Sequence, residues 1–260
     1  EAFTKEELEA ALIEHKPTIL AMVHAETSTG VCQPMEGIGD LCRKHDCLLL
    51  LDTVTSLGGV PLYLDEWKVD LAYSCSQKGL SCPPGLGPFT MGPRAEAKLA
   101  ARQDKVPNWY LDVSLLNQYW GSDRVYHHTA PVNMNFGMRE ALRLLADEGL
   151  DMAWARHRSN AEALWSGLES MGIEMHVPEE LRLPTLTTVR IPEDVDGKAF
   201  TQHLLNNHGI EVGGGLGVLA GKIWRIGLMG YNSNPENVSR LLNLFETELP
   251  QFRQNVAVAA

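Results

Sequence analysis

Two short apolar runs in this chain lead to side chains of opposite charge. Leu48-Leu49-Leu50-Leu51 stops at Asp52, and Asp70-Leu71-Ala72-Tyr73-Ser74-Cys75-Ser76-Gln77 leads to Lys78. Each run has the length of a buried strand. Ligands of an open parallel sheet bind outside the carboxyl ends of its strands, so a carboxylate and an amine 26 residues apart would face one crevice. A salt bridge or a pair of solvated strand ends satisfies that spacing. So does pyridoxal phosphate, which needs a lysine to form a Schiff base and an acid to keep its ring nitrogen protonated, so that electrons from a carbanion drain into the ring.

The elements that must position these residues are legible from periodicity and punctuation. Thr4 and Glu7 have capping-box spacing, with Phe3 and Leu8 placed as a hydrophobic staple, which predicts a helix over 4–15. Residues 18–24 read as a buried strand and 35–44 as a helix with Ile38, Leu41 and Cys42 on one face. With strands at 47–52 and 70–75, the alternation predicts a parallel sheet with right-handed crossovers. Lys78 then falls in a loop punctuated by Pro83, Pro84 and Gly85, followed by a strand at 86–91 and a helix at 94–102. Residues 107–129 carry Trp109, Tyr110, Tyr119, Trp120 and Tyr126, a density that suits either a core or a subunit interface.

A periodic helix over 132–148 ends at Gly149, and a second fills 151–171. Beyond it, strands near 173–177, 185–191, 210–212 and 222–227 alternate with helices near 196–207 and 235–249. Pro235 sits just inside the last helix, with Ser233 or Asn234 as its cap. This predicts an α/β domain over 1–148 and a small α+β domain over 149–260. The run Gly213-Gly214-Gly215-Leu216-Gly217 reads as a plain loop: the third glycine of a dinucleotide fingerprint would fall on Val218, and a strand follows instead of a helix.

A net charge of −11 disfavours nucleic acid or an anionic membrane as the main partner, and no apolar run approaches the roughly 20 residues of a membrane helix. The start Glu1-Ala2-Phe3 does not read as a signal peptide, nor Val258-Ala259-Ala260 as a peroxisomal address. Five cysteines, an odd number, point to reduced thiols in an intracellular compartment. Cys42, His45 and Cys47 lack the paired C-x-x-C of a zinc site, and no metal is expected.

Four separated motifs then occur in order: Glu26-Thr27-Ser28-Thr29-Gly30-Val31, Leu51-Asp52-Thr53-Val54-Thr55-Ser56-Leu57-Gly58-Gly59, Tyr73-Ser74-Cys75-Ser76-Gln77-Lys78 and Pro83-Pro84-Gly85. Together they resemble the class V, fold-type I pyridoxal-phosphate aminotransferases, most closely the alanine:glyoxylate (serine:pyruvate) branch. The resemblance runs over nearly the whole chain. It implies that residues 1–148 are the C-terminal portion of the family's large cofactor-binding domain, with a mainly parallel sheet. It also implies that Lys78 forms the Schiff base and moves the substrate's proton, that Asp52 partners the pyridinium, and that Val54 packs on the ring. Gln77 and Thr27 match polar residues lining the cofactor. Tyr126 and Thr129, in Tyr126-His127-His128-Thr129, match residues that reach across a dimer to the neighbouring subunit's cofactor phosphate. Arg225, in Lys222-Ile223-Trp224-Arg225-Ile226-Gly227, matches the arginine that clamps the substrate carboxylate.

The implied reaction is a ping-pong transamination between a small amino acid, alanine or serine, and a small 2-oxo acid such as glyoxylate. The resemblance departs at the front, because family members begin before the point matching Glu1 and carry there the turn that holds the cofactor phosphate. The expected partner is therefore a second copy of the chain or a complementing N-terminal polypeptide. The expected location is the cytoplasm, or a mitochondrion or peroxisome if a targeting signal lies in that segment. Two rival readings follow: a related lyase or cysteine desulfurase, against which Gln77 stands where a histidine would, and a truncated, catalytically incomplete subunit serving as a structural partner.

Overall fold

The computed structural model describes residues 1–253. Helix α1 (Lys5–His15) is entered through a capping box: Thr4 Oγ1 accepts the Glu7 N–H at 3.2 Å, and the Glu7 carboxylate accepts the Thr4 N–H at 2.8 Å. Phe3, predicted to staple Leu8, is left exposed. There follow β1 (Ile19–Val23), the strands β2 (Ala25–Glu26) and β3 (Val31–Cys32) of a short hairpin, α2 (Ile38–Lys44), β4 (Leu48–Asp52), β5 (Leu71–Tyr73) and β6 (Phe89–Met91). The main sheet has the order β1-β4-β5-β6, with β4 parallel to both β1 and β5 and β6 antiparallel at the edge. Leu49 and Leu51 are fully buried against Leu12, Met35 and Ile38, so α1 and α2 close one face.

A buried ion pair fixes the amino ends of these strands. Asp70, 3% exposed, accepts the Leu49 N–H and an Arg94 guanidinium N–H, each at 2.9 Å, which docks α3 (Pro93–Ala100) onto the sheet. Both donors converge on one oxygen, Asp70 Oδ2, away from the end where Asp52 and Lys78 lie.

Helices α4 (Val113–Trp120), α5 (Val132–Glu148) and α6 (Leu150–Ser170) lead to the second unit. Its elements are β7 (Leu186–Arg190), α7 (Gly197–His208), β8 (Gly213–Gly214), β9 (Ile223–Gly227) and α8 (Pro235–Glu248). Gly149 joins α5 to α6 at φ +85°, a conformation that favours glycine. The sheet β7-β9-β8 is antiparallel, and Leu164, Phe200, Trp224 and Phe245 pack a core between it and the helices. Asn234 caps α8 by accepting the Asn237 N–H at 2.9 Å, with Pro235 as the first helical residue.

Several expectations need correction. Residues 18–24 are not a buried strand: β1 is an edge, and Ile19 and Val23 are 45% and 39% exposed. The 35–44 helix starts only at Ile38, because Gly37, at φ +81°, makes a turn ahead of it. The stretch 173–177 contributes a single bridge, Met175 to Val189, in place of a strand. The strand expected at 210–212 falls on Gly213–Gly214, so the glycine run is no plain loop: lacking side chains, it fits flat against β9. The β2–β3 hairpin was not expected at all, its strands being too short to show a period. Trp109, Tyr110, Trp120 and Tyr126 are exposed, so the aromatic segment is not core within this chain. All five cysteines are free. No described helix is long and apolar enough to cross a membrane. The C-terminal Val258-Ala259-Ala260 lies outside the described residues.

Candidate active site

Asp52 ends β4, flanked in register by Val23 of β1 and Tyr73 of β5. Its carboxylate accepts the Val54 N–H at 2.8 Å, which turns the chain sharply after the strand, and the Tyr73 O–H at 2.6 Å. That hydrogen bond is the main reason the Tyr73 phenol is pushed up to about 12, so it remains a donor throughout the neutral range.

Lys78 follows β5 in a loop closed by its own hydrogen bonds. Ser76 donates its N–H to Leu86 O at 3.0 Å and its hydroxyl to Pro83 O at 2.7 Å, and the Ser81 N–H donates to Lys78 O at 3.0 Å. Lys78, Gln77 and Arg225 line one cavity of about 650 Å³ together with Ser81, Met229 and Tyr231. Neither Lys78 nor Arg225 pairs with a carboxylate among the described residues. The cavity thus presents two cations without salt-bridge partners against one carboxylate, Glu211, a small positive excess within an acidic chain.

Arg225 reaches it from β9, and two backbone carbonyls hold its guanidinium. Nε donates to Gly214 O at 2.7 Å and Nη1 to Thr27 O at 3.1 Å, leaving Nη2 without a hydrogen-bond partner among the described residues. Thr27 is placed by the turn of the β2–β3 hairpin, which presses onto β7. Gly30 has φ +77°, and a Cβ there would lie 2.7 Å from Thr188 Oγ1, which itself donates to Thr29 O at 2.7 Å. Further bonds cross the same seam: Thr185 Oγ1 donates to Thr55 O at 2.8 Å and the Tyr231 N–H to Ser81 Oγ at 2.8 Å. A Cβ on Gly59 would sit 2.2 Å from Thr185 Cγ2.

The predicted site residues therefore fall into three groups. Lys78, Gln77 and Arg225 share the cavity. Asp52, Val54 and Thr27 lie at the same carboxyl end of the sheet but do not line it, and Thr27 offers Arg225 its carbonyl instead of its hydroxyl. Tyr126 and Thr129 hydrogen-bond each other at 2.9 Å on the surface, with Tyr126 70% exposed, and do not reach this cavity. Tyr73, Ser81 and Tyr231 join the site without having been predicted from sequence. Only Tyr73 carried a signal, since it occupies the strand position level with Asp52.

A second cavity, of about 610 Å³, includes His24, Cys32, Trp67 and Trp154. Burial holds His24, 4% exposed, down to about 4, and raises the Cys32 thiol, 3.6 Å away, to about 11. At neutral pH the pair is an uncharged imidazole beside an uncharged thiol, which is not a nucleophile–base arrangement. His157 is likewise held neutral by burial: Nε2 accepts the Gly230 N–H at 2.9 Å, and Nδ1 faces Ala153 O at 2.6 Å. Because the folded state binds these protons less readily than the unfolded chain, unfolding free energy falls as pH drops from about 6.5 to about 4, by about 3 kcal/mol through His24 alone. Urea midpoints at pH 7, 5.5 and 4 check this. His24→Gln should flatten the slope, and an unchanged slope would refute the assignment.

A lysine and an arginine thus share one cavity at the carboxyl end of an α/β sheet whose neighbouring strand ends in an acid. The chain belongs to the aminotransferase class-V family, whose model matches residues 2–241. It is 43% identical over 257 residues to an alanine–glyoxylate aminotransferase of Oryctolagus cuniculus, covering 97% of this chain and 66% of that one. It is 37% identical over 276 residues to an (S)-ureidoglycine–glyoxylate transaminase of Bacillus subtilis, covering 99% and 66%. The crystal structure of an alanine–glyoxylate aminotransferase from Nostoc sp. superposes with a TM-score of 0.93 at 63% identity, covering 95% of this chain and 65% of that one. The chain thus spans just under two thirds of the length of these relatives.

Proposed function

We propose that this chain carries the Schiff-base lysine and the carboxylate clamp of a pyridoxal-phosphate-dependent transaminase acting on alanine or serine and on a small 2-oxo acid such as glyoxylate. The observation that carries the reading is the single cavity shared by Lys78 and Arg225. Its residues suit the cofactor: the volume lies in the range of small-molecule sites, the amine forms no salt bridge among the described residues although Glu211 also lines the cavity, and the strand-end acid already accepts two donors that fix its direction. Lys78 would hold the cofactor covalently and Gln77 would meet its polar edge within the cavity, while Asp52, Val54 and Thr27, which do not line it, would serve the ring nitrogen, the ring and the polar edge from the adjoining carboxyl end of the sheet. When bound, pyridoxal phosphate supplies an aldehyde that condenses with amines and a protonated ring that takes up electron density.

The chain's own residues account for the remaining steps. Arg225 orients an incoming amino acid by its α-carboxylate through the guanidinium edge that its two carbonyl contacts leave free. Lys78, as the free amine, would take the proton from the substrate's α-carbon and deliver it to the carbon that was the cofactor's aldehyde within the same half-reaction, and would run that transfer backwards in the opposite one. Donor and acceptor each carry an α-carboxylate, so one arginine serves both. The matched relatives named for glyoxylate support a two-carbon acceptor. Gln77 in place of a histidine argues against the desulfurase alternative.

A partner is part of the proposal. Among the described residues β1 and β6 are sheet edges bearing exposed Ile19, Val23 and Phe89, and the exposed Tyr126–Thr129 pair does not line the cavity of Lys78. A second copy would meet the Tyr126–Thr129 surface, and an N-terminal polypeptide would extend the sheet. The test is a half-reaction: the chain, alone and with the N-terminal part of a relative, is loaded with pyridoxal phosphate and titrated with alanine, serine and ureidoglycine. Stoichiometric release of the matching oxo acid, followed by its reversal with glyoxylate, is the expected result. Cofactor uptake with no oxo acid from any of the three would leave the structural-partner reading in its place.

A further inference from the structure

We propose that His203, His208 and Glu248 form a binding site for one zinc ion that ties the C-terminal end of α7 to that of α8. The site is independent of the cavity holding Lys78. One ligand atom from each of the three residues lies within 4.8 Å of the other two, and His203 Nε2 is already 3.1 Å from Glu248 Oε2. Zinc with nitrogen and oxygen ligands at about 2.0–2.2 Å places them about 3.3–3.5 Å apart, so the observed spread closes with side-chain rotations of about an ångström. Two imidazoles and a carboxylate suit a late first-row divalent ion, whereas calcium and magnesium require an oxygen shell and softer ions a thiolate. A fourth position is left for water.

Three features outside the ligands support the assignment. His203 and Glu248 are each about one-fifth exposed, open enough for an ion to enter and shielded enough to bind it more strongly than a solvated pair would. Both are oriented by neighbours: Asn207 Nδ2 lies 2.8 Å from His203 Nδ1, and Gln251 Nε2 donates to Glu248 Oε2 at 3.0 Å. Rotation of the Asn207 amide offers its oxygen to an Nδ1–H, the tautomer that frees Nε2 for a metal. The His203 ring also lies 5.1 Å from that of Phe252 and 5.4 Å from that of His208, which limits its movement.

Helix geometry adds a field of the right sign. His208 is the last residue of α7 and Glu248 the last of α8, so the negative ends of two helix dipoles converge on the cluster. Arg240 meets part of that demand by donating to His208 O at 2.6 Å, but among the described residues no lysine or arginine pairs with Glu248. A cation there would add to the direct contacts of the two helices, the Phe200–Phe245 ring pair and the Arg240 bond to His208 O, a link at the end of α8.

The test uses the whole chain, stripped with chelator and titrated with zinc against a chromophoric competitor. One ion per chain, bound with micromolar or tighter affinity and raising the melting temperature, is expected. His208→Gln and Glu248→Gln should each weaken binding at least tenfold while leaving the circular dichroism unchanged. Cobalt substitution should give visible bands of a nitrogen–oxygen site. Absence of saturable uptake, uptake that both variants retain, or a thiolate charge-transfer band would each overturn the proposal, the second by moving the ion to other residues and the third by moving it to the cysteines.

Discussion

Lys78→Ala should lower turnover at least about 10⁴-fold, because one amine is asked both to hold the cofactor and to move the α-proton. The same variant should lose the absorbance band that borohydride removes from the parent protein, and with it the mass increment that reduction fixes on the chain. Structural damage is not the expected cause of that loss. The Lys78 side chain is half-buried, makes no ion pair among the described residues, and sits in a loop closed by Ser76, Ser81 and Cys82 through bonds that the substitution leaves in place. The urea midpoint should therefore stay within about 0.5 kcal/mol of the parent. A variant that keeps the reducible band would place the covalent attachment elsewhere and end the functional reading.

Arg225→Lys should reduce kcat/KM for α-amino acids by about 30- to 1,000-fold, corresponding to about 2–4 kcal/mol for the loss of a two-bond charge-assisted pair. Lysine keeps the charge but cannot bond Gly214 O and Thr27 O while also presenting a flat edge to a carboxylate. The loss should be borne by substrates with an α-carboxylate. Simple amines, which do not use the clamp, should react at nearly the parent rate. An equal loss for both classes would show that Arg225 shapes the cavity without gripping the substrate.

What the sequence reveals and what it withholds divide along the range of the forces involved. Capping boxes, a proline at the first helical position and a glycine after α5 are local devices, and the ends of α1, α5 and α8 fall where they predict. The parallel order of β1, β4 and β5 follows from alternation with helices. The β2–β3 hairpin escapes because two-residue strands have no period, and β8 because its glycines look like a loop until β9 lies beside them. The exposure of β1 escapes the sequence for a related reason: an apolar run shows that a strand prefers cover, not whether a neighbour supplies it. At the site, Lys78 and Arg225 were found from local motifs. Tyr73 on Asp52 and the Thr27 carbonyl on Arg225 depend on contacts across 21 and 198 positions of sequence, which no single motif records.

The seam between the two units has a consequence for how anything enters the site. Thr185 to Thr55, Thr188 to Thr29, Tyr231 to Ser81 and Arg225 to Thr27 act as separate stitches, with Gly30 and Gly59 drawn flush between them. A body sewn along that line does not gape like a clamshell. Passage must be governed by small swings at the mouth, where Tyr231 is 83% exposed, and the amides along the seam should be among the slowest in the molecule to trade hydrogen for deuterium.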